Sequence, residues 1–314
     1  MHLESLKTKT DVKSLRKALD ILPEERDKTY EEALERIQRQ PEDESKLAMR
    51  VFSWITHAIR PLKVGEIQHA IAVMNFEPGD TTLDEEGLTD EAELMTVCGG
   101  IVVIDQDSRV IRLVHYTTQE YFERHLKEIF PNAQVDIARA CIRYLSMGSF
   151  RDGRCTTDIE MENRLENFEF IEYSSKNWGT HACRSPDDAI EEQALLFLDD
   201  SSLISSAVQA MSLSSYRYGA SWSQKYPKAV PGIVVAAEFG LIGLVDKILK
   251  SGNSIEGKGS DGQTALHSAT ERGHKAVVQL LLENGQISKQ EIILKGRRYI
   301  VLLGVGMRLW CGCY

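Results

Sequence analysis

Apolar residues recur at helical spacing over most of the chain. In residues 46–60, Leu47, Val51, Ile55 and Ile59 fall on one face at i+4 steps, with Ala48 and Phe52 beside them. Pro61 stops that helix, and Val64, Ile67 and Ile71 mark the next one over 63–74. Two more helices precede these, over 6–19 and 27–38, on either side of Leu22-Pro23. The period changes at 99–116, GGIVVIDQDSRVIRLVHY, which alternates as two strands around the turn Gln106-Asp107-Ser108. A short helix over about 90–98, capped by Thr89 or Asp90, comes before this hairpin. After it, Thr117 with Glu120 three residues on reads as a capping box opening a helix that runs to about 128. Helical spacing returns in 135–147, 161–178 and 190–200. The serine- and aromatic-rich stretch 211–227 reads as a linker.

Residues 261–285, DGQTALHSATERGHKAVVQLLLENG, form a compact unit of their own. Thr264 and His267 bracket a turn in which both side chains can bond local backbone. Leu266, Ala269, Val277, Leu280 and Leu281 supply apolar faces for two short helices, Gly273 turns the chain between them and Gly285 ends the second. A shift of 33 residues brings Gly240 onto Gly273, Ala236 onto Ala269 and Gly252 onto Gly285, so 231–256 is a degenerate copy. Beyond about Gln286 the pattern is lost. The resulting fold is mainly α: a winged helix with a small β-hairpin, a helical linker region, then the start of a helical repeat array. The expected domains are 1–40, terminal helices of a preceding module; 41–130, the winged helix; 131–225, the helical linker; 226–285, two repeats; and 286–314, a divergent tail.

Charge narrows the partners. The chain of 314 residues carries a net charge of −10, which argues against nucleic acid. The winged-helix element that would enter a groove starts with Asp90, Glu91 and Glu93, behind a segment (77–93) holding eight acids and no base. Six cysteines without C-x-x-C spacing, no N-x-[ST] sequon and no secretory start point to a reduced, cytoplasmic setting. The apolar run 299–307 is too short to cross a membrane. There is no G-x-S-x-G elbow, no H-E-x-x-H and no metal-ligand spacing, and Cys311-Gly-Cys313 is too short to enclose a metal alone. No enzyme, metal or resident cofactor is expected. Residues 257–262, GKGSDG, match G-x-G-x-x-G literally but fall between the two repeats, where they read as a turn.

The unit at 261–285 resembles an ankyrin repeat, with Ala265 where that family has proline. The resemblance implies binding rather than catalysis, through a protein partner met by Gln263, Ser268, Glu271, Arg272, His274 and Lys275, on the turns and first-helix faces. The order of parts resembles the C-terminal half of fungal NOD-like proteins that join a nucleotide-binding NACHT domain, a winged helix of the GPI inositol-deacylase type and ankyrin repeats. The residues carrying it are ALDILPEERDKTYEEALERI (18–37), VFSWITHAIRPLKVGEIQHAIAV (51–73), IRLVHYTTQEYFERH (111–125) and YSSKNWGTHA (173–182). No G-x-x-x-x-G-K-[ST] is present, so the phosphate-cradling part is lacking. The chain is expected to be a regulatory, protein-interacting fragment of a signalling receptor, with docking to a NACHT ATPase domain. An alternative is a nucleotide-regulated switch subunit. There His115, at a strand end before a helix N-terminus, touches a phosphate supplied with a NACHT partner. Another is a shortened product without an independent role.

Overall fold

The computed structural model describes residues 27–77, 79–214, 219–252 and 257–285, together with the backbone of 289–294, 297–302 and 310–311. The expected helix over 6–19, Cys313 and the side chain of Cys311 lie outside the described residues. The chain divides into two compact units, one of residues up to 71 with 88–133, the other of 72–87 with 134 onward.

The first unit holds α1 (27–38), α2 (Glu42–His57), β1 (Leu62–Lys63), most of α3 (Val64–Met74), α4 (Glu91–Val97), β2 (Val102–Ile104), β3 (Val110–Leu113) and α5 (Tyr116–Ile129). The hairpin register pairs Val102 with Leu113 and Ile104 with Ile111. Its turn is held by Asp105, whose Oδ1 accepts from the Ser108 N–H (2.9 Å) and hydroxyl (2.7 Å). These bonds keep the Asp105 carboxyl below the usual carboxylate range. β1 adds a third strand in the order β1-β3-β2. Two residues are too few to show a period, so the sequence pattern reveals only the hairpin.

The buried face of α2 differs from the expected stripe. Ala48, Val51, Phe52 and Trp54 are sealed, whereas Ile59 lies beyond the helix end and is 41% exposed. The helix stops at His57 because the chain turns extended at Ala58 (ψ 143°) on its approach to Pro61. α1 belongs to this unit. The Tyr30 ring lies 5.4 Å from that of Tyr121, tilted by 39°, Asp27 takes a two-pronged ion pair from Arg124 (2.6 and 2.7 Å), and Ile37 is fully buried. Glu66 is buried but compensated by the Arg60 guanidinium and the Lys63 N–H.

The second unit holds α6 (Ala133–Leu145), α7 (Asp158–Asn167), α8 (Ile171–Arg184), α9 (Asp188–Asp199), α10 (Ser201–Met211), and two helix pairs, α11 (Gly232–Glu238) with α12 (Ile242–Lys250), and α13 (Ala265–Arg272) with α14 (Lys275–Gly285). Side-chain oxygens cap several of these helices: Thr157 on α7, Asp187 on α9, Asp200 on α10 and Thr264 on α13. At α13 the His267 ring answers the Thr264 amide, completing a capping box. Beyond 285, where no pattern is expected, β4 (Lys289–Leu294) and β5 (Arg297–Leu302) pair antiparallel, with β6 (Trp310–Cys311) on β5. Ile292, Ile293, Ile300 and Val301 are β-branched, which favours strand over another helix pair.

Two polar clamps organise the helical region. Gln209 is fully buried; its amide donates to the carbonyls of Cys155 and Ser223 (3.0 Å each) and accepts from the Cys155 N–H (2.8 Å). Ser223 in turn donates its hydroxyl to Asp158 (2.6 Å). The described part of the expected linker is therefore tied to α7 and α10. His181, also fully buried, donates from Nδ1 to Gln134 Oε1 (2.7 Å), so its Nε2 accepts from the Tyr173 hydroxyl (2.8 Å).

The first helix pair is not isolated. Trp178 of α8 is buried, with its ring edge-on to Phe239 (5.2 Å) and Phe197 (5.8 Å). A Cβ at Gly179 would lie 2.2 Å from the Phe239 ring, so only glycine admits it. Lys247 of α12 bonds Glu191 of α9 at 2.6 Å. The second pair locks onto the first in the same sense. Arg272 pairs with the Glu238 carboxylate (2.6 Å), His274 Nε2 donates to the Glu238 carbonyl (2.9 Å), and the His274 ring covers Gly240, where a Cβ would sit 2.5 Å away. Gly273, the position 33 residues on, has no described atom within 4 Å of an added Cβ.

Two outcomes follow from these contacts. Gly179→Ala is expected to cost about 1–3 kcal/mol, the usual penalty of overpacking. Its urea midpoint should fall, and the same substitution made in a Phe239→Ala background, where the clashing ring is gone, should cost much less. His69 is 6% exposed, and burial lowers its pKa from 6.5 to about 4. The unfolded chain then binds the proton first, so this contribution to stability is intact above pH 6.5 and is lost as pH falls towards 4. The loss is at most about 3 kcal/mol, and denaturation midpoints across that window should flatten in His69→Gln.

Candidate functional site

The capped start of α13 fixes where its exposed side chains go. With Thr264 and His267 occupied by the cap, Gln263, Ser268, Glu271 and Arg272 line one side of a cleft of about 300 Å³. The rest of the lining comes from Val208 and Met211 of α10, Ser212 just past its end, and the apolar Pro227, Val230 and Val234. The cleft is thus shared by the repeats and the helical region. Its charges are Glu238, Asp261, Glu271 and Arg272, and Arg272 is already neutralised by Glu238 at 2.6 Å. Gln263 Oε1 is buried without a hydrogen-bond donor.

The structure separates the six repeat positions. Four gather in the cleft. His274 instead serves the junction between helix pairs, through its bond to the Glu238 carbonyl, and Lys275 is exposed at the first turn of α14. Sequence reasoning missed the α10 wall because it lies outside the 33-residue register. The expected helix over 190–200 stops just before α10 and the expected linker starts at 211, so α10 itself is not singled out by the sequence pattern.

His115 is the N-cap of α5. The expected capping box on Thr117 does not form, because the Thr117 hydroxyl is taken by Tyr30 (2.6 Å) and by His115 Nδ1 (2.8 Å). Nδ1 also accepts the Thr117 N–H at 3.2 Å, which leaves Nε2–H as the donor of the neutral ring. The exposed ring lies 4.7 Å from that of Tyr116 and lines a cleft of about 460 Å³. Arg60, Arg112 and the exposed Ile59, Val114 and Tyr116 line it too.

Other candidates lose their chemistry in the structure. Residues 257–262 are a turn between helix pairs, closed by the Gly262 N–H to the Gly259 carbonyl (2.9 Å) with Gly262 at φ 79°. Among the described residues no group of three or more His, Cys, Asp or Glu could hold a metal ion, and no helix is long and apolar enough to cross a membrane. Cys98, Cys141 and Cys155 are buried thiols, and desolvation raises the pKa of each, that of Cys98 to about 12.

Two family models match parts of the chain. Residues 34–138 match the family model described as GPI inositol-deacylase, winged helix domain, and residues 233–297 match that described as Ankyrin repeats (3 copies). No curated protein and no solved structure matches the chain. The chain therefore carries a winged helix domain of the GPI inositol-deacylase type followed by ankyrin repeats.

Proposed function

We propose that this chain is a non-catalytic, cytoplasmic protein-interaction piece of a NOD-like signalling receptor of fungal type, docking to a NACHT ATPase domain and recruiting a protein through its ankyrin repeats. Ankyrin repeats point to protein interaction. The observation that carries the reading is the cleft between α13 and α10, which collects Gln263, Ser268, Glu271 and Arg272 together with apolar lining residues. Apolar surface with polar residues around it is the anatomy of a protein-binding patch. Val208, Met211, Val234, Ser268, Glu271 and Arg272 of the cleft stand on helices, which pre-form part of the surface a partner meets.

The test is direct. A photoreactive side chain placed at Ser268 should capture a defined protein band from host extract. The same probe at Lys250, on the far helix of the first repeat, should not. Ser268→Trp fills the cleft and should weaken binding of that captured protein by about tenfold or more. Equal capture from both positions would remove the reading.

A second reading rests on His115. With Nδ1 committed to Thr117, the remaining Nε2–H is a donor lining a cleft that also holds Arg112, the guanidinium of Arg60 being paired with Glu66. This arrangement suits a phosphate supplied with a NACHT partner. His115→Ser keeps an N-cap hydroxyl while removing the ring donor. Labelled ADP titrated into a mixture of this chain and a NACHT domain should bind about tenfold more weakly with the variant. Unchanged affinity would count against a phosphate role.

A further inference from the structure

A second groove of the second unit lies away from the cleft just described. It has a volume of about 660 Å³ and runs between α9 and the first helix pair, with Leu195, Leu196, Leu198, Ile233 and Ile248 in its lining. Leu196 is 76% exposed, more than any other large apolar side chain among the described residues. The groove exists because α9 and α11 approach closely. A Cβ on Gly232 would lie 2.4 Å from the Leu198 carbonyl oxygen, so a larger residue would pry the two helices apart.

Charge is arranged around this apolar floor in one sense. On α9, Glu192, Leu196 and Asp199 follow one another at i, i+4 and i+7, all exposed, so an apolar side chain stands between two acids on one helical stripe. Lys247 also lines the groove, but its ammonium is bonded to Glu191 at 2.6 Å and lies 3.8 Å from Asp188. The groove is therefore apolar at its base and acidic at its edge.

We propose that this groove seats an amphipathic helix of a partner protein. Its apolar side chains, spaced by one helical turn, lie over Leu195, Leu196, Ile233 and Ile248, and its flanking Lys or Arg residues face Glu192 and Asp199. The volume lies in the range of pockets that enclose several side chains. Apolar anchors at i, i+4 and i+7 are the way a helix occupies such a groove. The acidic edge selects a basic helix over an acidic one and repels an anionic membrane surface. This site does not depend on the cleft lined by Ser268, and either can fail without the other.

The experiment uses the full chain and two labelled helical peptides of about 16 residues, each with leucines at i, i+4 and i+7. One carries lysine at the flanking positions, the other glutamate. Fluorescence anisotropy should show binding of the lysine peptide, with the glutamate twin about tenfold weaker or worse. Leu196→Asp should abolish binding, with an unchanged circular dichroism spectrum because the side chain is already largely exposed. Glu192→Lys with Asp199→Lys should reverse the preference between peptides. The proposal is overturned if the lysine peptide does not bind, if both peptides bind equally, or if binding survives Leu196→Asp.

Discussion

The second unit depends on one close packing contact, the Phe239 ring against Gly179 and the edge of Trp178. A helical repeat exposes an apolar face on each side and is stable only when neighbours cover both. Sequence reasoning finds two repeats and no cap, which is too few. In the structure α8 and α9 take the place of the missing neighbour: Trp178 meets Phe239 on one side and Phe197 on the other, Gly232 lies against Leu198, and Lys247 reaches Glu191. The helical region is thus part of the array and not merely a connection to it. Both concave features follow from this, since each has one wall from a repeat and one from α9 or α10.

Much of the fold was legible because its determinants are local. The Thr264–His267 cap, the Gly273 turn and the 33-residue register are all short-range rules, and each is realised. The alternation in 99–116 likewise gave the hairpin, with Val102 opposite Leu113. What escaped was fixed by residues far apart in sequence. Tyr30 reaches Thr117 across 87 positions and thereby shifts the cap of α5 to His115. β1 is two residues long and owes its existence to pairing with β3. The α10 wall of the cleft carries no repeat signature at all. Of the six repeat positions, His274 looked like a surface residue because its neighbours Arg272 and Lys275 are polar, yet its ring is the plug over Gly240.

Polar residues inside the helical region explain how Ser223, in a stretch that reads as a linker, is held in place. Serine-rich composition says little about order when a single buried amide can satisfy three backbone groups. Gln209 does so for Cys155 and Ser223. A buried amide with every partner in place specifies one arrangement, because any slip leaves it unsatisfied at a cost of a few kcal/mol. The Tyr173–His181–Gln134 chain acts in the same way on α8, the helix that carries Trp178 and Gly179.

The lock between the helix pairs is directional. The earlier pair offers a carboxylate, a carbonyl and a glycine notch at Glu238 and Gly240, and the later pair offers the cation, donor and ring of Arg272 and His274. The two halves are complementary but not alike, so the contact is heterologous. Two identical faces brought together about a twofold axis would set notch against notch and could not satisfy it. Any extension through this chemistry must therefore run head to tail, each added unit presenting its histidine to the glycine of the one before.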